Sequence, residues 1–259
     1  MCIRDRLSFT PKCQTATTHV VAVWHFGVKL SGVSPILVPA PLDVGKALLR
    51  EGYDLLSACG MTALAALCGL TASTLLGVFA ACLFSQSKLI RNAFYPYAIL
   101  LQTMPVIAVA PIVVIAFGRG FFGVAVIAMI LSSFPIVTST TTGLMQVDAS
   151  LKELFQFHQA TRWQTLWKLR LPYAVPYFIN GLRIAAGASI VGAIVGEFFV
   201  GSGAKGLGVL IQNKRNMMNV DELYATVLVS TLLGVSAFAA ITLAGDLILR
   251  RFLGRRLAE

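Results

Sequence analysis

Residues 120–147, GFFGVAVIAMILSSFPIVTSTTTGLMQV, run without one charged side chain and then give way to residues 148–172, DASLKELFQFHQATRWQTLWKLRLP. About 20 helical residues cross an apolar bilayer core of about 30 Å. The first stretch is long enough to do so, and its apolar residues are continuous rather than alternating, which excludes the strand of a membrane barrel. The second stretch is polar and longer than a simple connector between two spans needs to be. One membrane-crossing helix followed by a built polar loop is the pattern from which the rest is read.

Working outward, residues 55–87, 92–118 and 223–245 also lack Asp, Glu, Lys and Arg, and 173–200 is interrupted only by Arg183 and Glu197. A shorter apolar stretch, 13–28, opens the chain. The predicted fold is all-α: a polytopic membrane protein of about six transmembrane helices, the first truncated or weak. Composition agrees, since 57% of the 259 residues are apolar and only 12% charged, against about 25% charged in soluble domains. A secreted disulfide scaffold, a disordered chain and a soluble enzyme are excluded. The five cysteines form no CxxC pair and, with the three histidines, no metal-ligand spacing, so no metal or cofactor is expected.

The chain divides into residues 1–6, MCIRDR, read as a non-native adapter-derived start; 7–56, the weak first span with an outer amphipathic segment; 57–250, the transmembrane domain with a polar loop at 146–172; and 251–259, a basic tail. With the N-terminus inside and six alternating spans, fourteen Lys and Arg fall on the inner side and seven on the outer. The positive-inside rule favours that orientation, with both termini cytoplasmic. The net charge of +10 then reflects inner loops rather than nucleic-acid binding. The segment PLDVGKALLREGYDLL has helical apolar spacing and is expected to lie along the outer surface.

In the polar loop, Leu151, Leu154, Phe155 and His158 share one helical face, and Trp163, Leu166, Trp167 and Arg170 continue after a break near Gln159. Exposed aromatic residues on a water-facing loop need a cover, either headgroups or a soluble partner. The loop resembles the signature of permease subunits of ATP-binding-cassette importers: Glu-Ala-Ala, three residues, Gly, nine residues, Ile-x-Leu-Pro. Glu153 takes the Glu position, Leu154 and Phe155 the Ala pair, Gln159 the Gly position, and Leu169-Arg170-Leu171-Pro172 the close. The flanking QATRWQTLWKLRLPYAVPYFINGLRIA and the GLG after the fifth span resemble the nitrate/sulfonate/taurine branch, over roughly residues 35–250.

The resemblance implies a type I importer bundle in the bacterial inner membrane. It implies an ATPase-coupling loop comprising Glu153, Leu154, Phe155, His158, Gln159, Ala160, Leu169, Leu171 and Pro172. It also implies three kinds of partner: a separate ATPase subunit, a periplasmic or lipid-anchored solute-binding protein, and a second copy of the chain. The cargo would be nitrate, a sulfonate, taurine or a related small organic compound. Two departures stand out. Leu-Phe replaces Ala-Ala, adding bulk at the docking face, and Gln159 replaces Gly, which costs about 1–2 kcal/mol if that turn is left-handed. No G-x-x-x-x-G-K-[ST] is present, so no catalytic residue is assigned. Gly201-Ser-Gly203-Ala-Lys-Gly206 reads as an outer loop.

A transport route needs polar groups and irregular backbone at membrane depth, facing protein or water. Gln102, Thr103 and Pro105 in the third span, Ser132 and Ser133 in the fourth, and Glu197 in the fifth are the candidates. The competing reading of the hydroxyls is that they satisfy their own helix backbone. Ala188, Gly192 and Gly196 recur at steps of four, a helix-packing row that is also a candidate dimer seam. Asp246 and Arg250 are read as an i,i+4 pair. The alternative function is an ion-coupled secondary transporter, which would require internal repeats and an intramembrane coupling acid. The chain has no evident duplication, and Glu197 is its one candidate acid. An intramembrane serine hydrolase would require Ser and His together in the membrane.

Overall fold

A computed structural model describes Trp24 and residues 38–103, 105–200 and 205–256. The start MCIRDR and almost all of the stretch 13–28 lie outside the described residues. From residue 38 on, the described residues form ten α-helices in order: α1 Pro41–Arg50, α2 Gly52–Gln86, α3 Lys88–Thr103, α4 Val106–Phe117, α5 Phe121–Met145, α6 Ala149–Phe157, α7 Arg162–Thr165, α8 Leu171–Val200, α9 Leu207–Asn216 and α10 Val220–Arg256. Four helical stretches among the described residues are long and apolar enough to cross a membrane: Gly52–Gln86, Phe121–Met145, Arg162–Phe199 and Val220–Arg251.

The charge-free run 92–118 is not a single helix. It breaks between Thr103 and Val106, with Pro105 as the N-cap of α4 in an extended conformation. Proline lacks the amide hydrogen that would continue the ladder and disfavours helix in the residue before it. The helices nevertheless continue through Pro96, Pro111, Pro135 and Pro176.

α5 is the central element, with α2 on one side and α8 on the other. Apolar contact alone does not drive association in lipid, so close packing of small residues has to. Ala128 of α5 marks the tightest crossing. A Cβ added to Gly69 of α2 would lie 2.6 Å from the Ala128 Cβ, and one added to Gly192 of α8 would lie 2.8 Å from its Cα. Val124 and Ile127 meet Gly196 one turn further along. The small-residue row of α8 is therefore filled within the chain at Gly192 and Gly196. Ala188 on the same row is half-buried.

The segment read as one outer amphipathic helix is interrupted at Glu51. Its first part, α1, docks rather than lying free: Val44 and Ala47 are buried against Ala225 of α10. Charges fasten the same junction. Arg50 pairs with Glu222, and Lys214 bridges Glu51 at 2.9 Å and Glu222 at 2.7 Å.

Asp246 also departs from expectation. Its carboxylate accepts from Arg183 of α8 at 2.6 Å instead of forming an i,i+4 pair with Arg250. Gly245 of α10 sits directly against Ile179 of α8, which brings the two helices close enough for this pair.

The crossing at Ala128 makes a prediction. Gly192→Leu inserts a branched side chain where the neighbouring backbone has no room, at a cost of about 1–3 kcal/mol or more. Thermal unfolding and gel filtration of the purified chain in detergent should show a lower transition temperature and aggregation. Gly187→Ala, where an added Cβ meets nothing within 4 Å, should leave both unchanged.

Candidate functional site

The polar loop folds into two short helices joined by a tight turn. None of α6 is buried: Leu151, Leu154 and Phe157 are exposed, Phe157 at 85%. Phe155 is half-buried and Glu153 exposed. The Ala160 amide donates to the Phe155 carbonyl at 3.0 Å, and the Gln159 amide to the Gln156 carbonyl at 2.9 Å. These two bonds are the Schellman closure of a helix C-terminus, whose C′ residue is left-handed and usually Gly. Here that residue is Gln159, with φ +50°. The strain inferred from the sequence is thus realised. His158 adds a ring contact of 2.9 Å from Nδ1 to the Leu154 carbonyl.

The return helix is nucleated by a reciprocal cap. Thr161 Oγ1 accepts from the Gln164 amide, and Gln164 Oε1 accepts from the Thr161 amide. Leu166–Arg170 then form a π-helical turn, with the Leu171 amide donating to the Leu166 carbonyl. The widened turn lies immediately before Pro172, which cannot donate to the Lys168 carbonyl and whose ring must avoid it. Leu166 and Leu169 point into the bundle, whereas Trp163 and Trp167 are exposed. The Arg170 guanidinium donates to the Ser85 carbonyl at the end of α2. The exposed helix is thereby joined to α8 through continuous backbone and to α2 through Arg170.

At the opposite end, Glu197 is enclosed at 1% exposure. Its Oε2 accepts from the Gly208 amide at 2.6 Å and its Oε1 from the Thr62 hydroxyl at 2.8 Å, while Thr62 Oγ1 accepts from the Leu207 amide at 2.8 Å. Leu207 and Gly208 are the first residues of α9, whose N-cap, Gly206, offers no side chain. A carboxylate from α8 and a hydroxyl from α2 thus supply the missing cap and face the positive end of the helix dipole. A Cβ on Gly206 would collide with this carboxylate, and one on Gly208 would collide with the Ile194 carbonyl and with Glu197. The GLG noted in the sequence is the imprint of that close approach. The cap itself could be foreseen only by pairing Glu197 with a glycine-flanked helix start eleven residues on.

The remaining route candidates are dispersed. Ser132 has no exposed surface; its hydroxyl bonds Ser73 Oγ at 2.8 Å and the Ala128 carbonyl at 2.7 Å. Ser133 bonds the Met129 carbonyl, and Thr103 the Leu100 carbonyl. In this conformation Ser132 and Glu197 face protein rather than a passage, because backbone and neighbouring helices satisfy them. Thr103 and Pro105 are exposed beside the break between α3 and α4; the Gln102 side chain lies outside the described residues.

Among the described residues the chain is an all-helical bundle with the short helix α6 exposed along its whole length. Residues 73–258 match the family described as binding-protein-dependent transport system inner membrane component, and the chain belongs to that family. A formylaminopyrimidine transport permease, ThiX, of Halalkalibacterium halodurans is 31% identical over 86% of this chain and 88% of its own length. A putative aliphatic sulfonates transport permease, SsuC, of Bacillus subtilis is 26% identical over 83% of this chain and 78% of its own. Among solved structures, an inward-facing MetNI methionine ABC transporter superposes with a TM-score of 0.64 at 20% identity, covering 78% of this chain and 98% of that one. The chain is therefore a multi-pass inner-membrane permease subunit of an ATP-binding-cassette importer of small solutes, and ATP hydrolysis belongs to a separate subunit.

The Glu197 cap generates a prediction. Glu197→Ala leaves the buried Gly208 amide without an acceptor, and the Thr62 hydroxyl keeps the Leu207 amide but loses the acceptor for its own proton, about 1–3 kcal/mol for each donor left unpaired. Hydrogen exchange of the purified chain should then show α9 amides losing protection while those of α5 keep theirs.

Proposed function

We propose that α6 is the coupling helix of this importer and that Leu154 and Phe157 seat it in a groove of the ATPase subunit. The observation that carries the reading is a nine-residue helix with three exposed large apolar side chains and no buried residue. Such a surface costs solvation unless a partner covers it. Closure of the ATPase would push on α6, and the capped return through Thr161 and the π-turn would pass the displacement to α8. The bulk of Leu154 and Phe155, where the signature that the loop resembles has Ala-Ala, calls for a correspondingly wider groove.

The orientation follows. With α6 cytoplasmic, the far end carrying α1, Glu197 and α9 faces the outside, and a solute-binding protein would meet it near the exposed Met217 and Met218. We infer a homodimer with the route passing the α3–α4 break at Thr103 and Pro105. The cargo belongs to the size class spanned by the relatives, from a formylaminopyrimidine to aliphatic sulfonates.

Leu154→Asp with Phe157→Asp should release the ATPase subunit from purified complexes and abolish ATP-dependent uptake in proteoliposomes. Anchors of this kind each contribute about 2 kcal/mol or more, so affinity should fall by more than tenfold per residue. Breaking the helix at Glu153 and Phe155 with glycine should act in the same direction. Retained uptake with a released ATPase would refute the coupling role. Gln159→Gly should relieve about 1 kcal/mol of strain and tighten ATPase association several-fold, whereas the β-branched Gln159→Val should weaken it.

A further inference from the structure

At the end of the bundle that carries α6, a cavity of about 520 Å³ opens between the end of α2, the start of α3, the end of α5 and the segment leading into α8. Its charged lining consists of Lys88, Arg91, Lys152, Arg162 and Arg170, and no carboxylate is among the lining residues. Like charges around one cavity repel, and an anion between them removes that cost. The five are poorly satisfied by protein. Lys152 donates to the Met145 carbonyl at 3.1 Å, while Arg91 reaches only the Met145 sulfur at 3.2 Å, a weak acceptor. Arg170 gives one N–H to the Ser85 carbonyl, but its Nε is buried without a partner. Among the described residues none of the five makes an ion pair.

Guanidinium forks and ammonium groups converging on one space suit a phosphate, whose oxygens accept several charge-assisted hydrogen bonds. The surroundings indicate what carries it. Directly beyond Lys88 and Arg91, the exposed Leu89 and Phe94 begin the apolar surface of α3, where acyl chains would lie if a headgroup occupied the cavity. We propose that this cavity binds a phosphate-bearing anion, in the membrane the headgroup of an acidic phospholipid. The cavity borders both the coupling helix, through Lys152, and the return segment, through Arg162, so an occupant bears on the lever itself. Assignment to the inner leaflet rests on the orientation proposed above; the anion site does not.

The test uses the delipidated importer complex, permease with its ATPase subunit, in detergent. Phosphatidylglycerol, phosphatidylcholine or inorganic phosphate is added, and binding is read by native mass spectrometry and thermal shift. Phosphatidylglycerol should bind and phosphatidylcholine should not. The Lys88→Gln, Arg91→Gln double variant should weaken binding roughly 30-fold, and Arg119→Gln at the other end should leave it unchanged. Arg162→Gln, on a different element, should weaken it about fivefold and stands in if the double variant misfolds. Binding of inorganic phosphate without phosphatidylglycerol would uphold the anion site and assign its source to solution. Undiminished phosphatidylglycerol binding in both variants, or no anion bound by the wild type, would overturn the proposal. So would loss of the ATPase subunit from the double variant when the wild type binds no anion, since the cavity is then a protein contact. ATP-dependent uptake by the wild type is scored separately, so the site can fail while the transport reading stands.

Discussion

The close approach of three helices at Ala128 is the constraint on which the architecture depends. A bilayer removes the hydrophobic drive between helices, so their order must come from packing dense enough to outcompete lipid. Glycine at 69 and 192 lets α2 and α8 press on the same alanine of α5 from two sides. Once those three spans are locked, the two ends of the bundle are positioned. α6 and its return segment hang from the end of α5 and the start of α8, and Glu197 is carried to the far end of α8 facing Thr62 of α2.

The two ends are built on opposite principles. At the α6 end, large apolar side chains are left uncovered and positive charges are left without carboxylates. That surface is incomplete by itself, as expected of a subunit that must engage an engine it lacks. At the Glu197 end, charges are paired or capped: Glu197 by two donors, and Glu222 by Arg50, Lys214 and Asn219. These contacts tie α1, α2, α8, α9 and α10 into one block. The charge-tied block at the Glu197 end and the exposed helix α6 at the other end are joined through α8.

Much of this was legible in the sequence. Charge-free runs located the long spans, since a charge in lipid is too costly to hide in the pattern. The spacing from Glu153 to Pro172 marked out the polar loop that folds into α6 and its return segment, and Gln159 at the signature's glycine position flagged the turn that is left-handed in the structure. Short-range chemistry of this kind depends on residues within one or two turns of each other. The reciprocal cap of Thr161 and Gln164 belongs to the same class and could have been found from its S/T-x-x-E/Q form.

What the sequence determined by itself was a membrane-spanning helical chain with an amphipathic lever on one side. The tertiary structure decided the rest. Asp246 chose Arg183 over Arg250, Gly192 met Ala128 of α5, and Ser132 found Ser73. Each partner lies tens of residues away, and several candidates of equal chemistry stood nearer in the chain. Composition dictates that a buried polar group must be satisfied, but only the crossing geometry of the helices selects the atom that satisfies it.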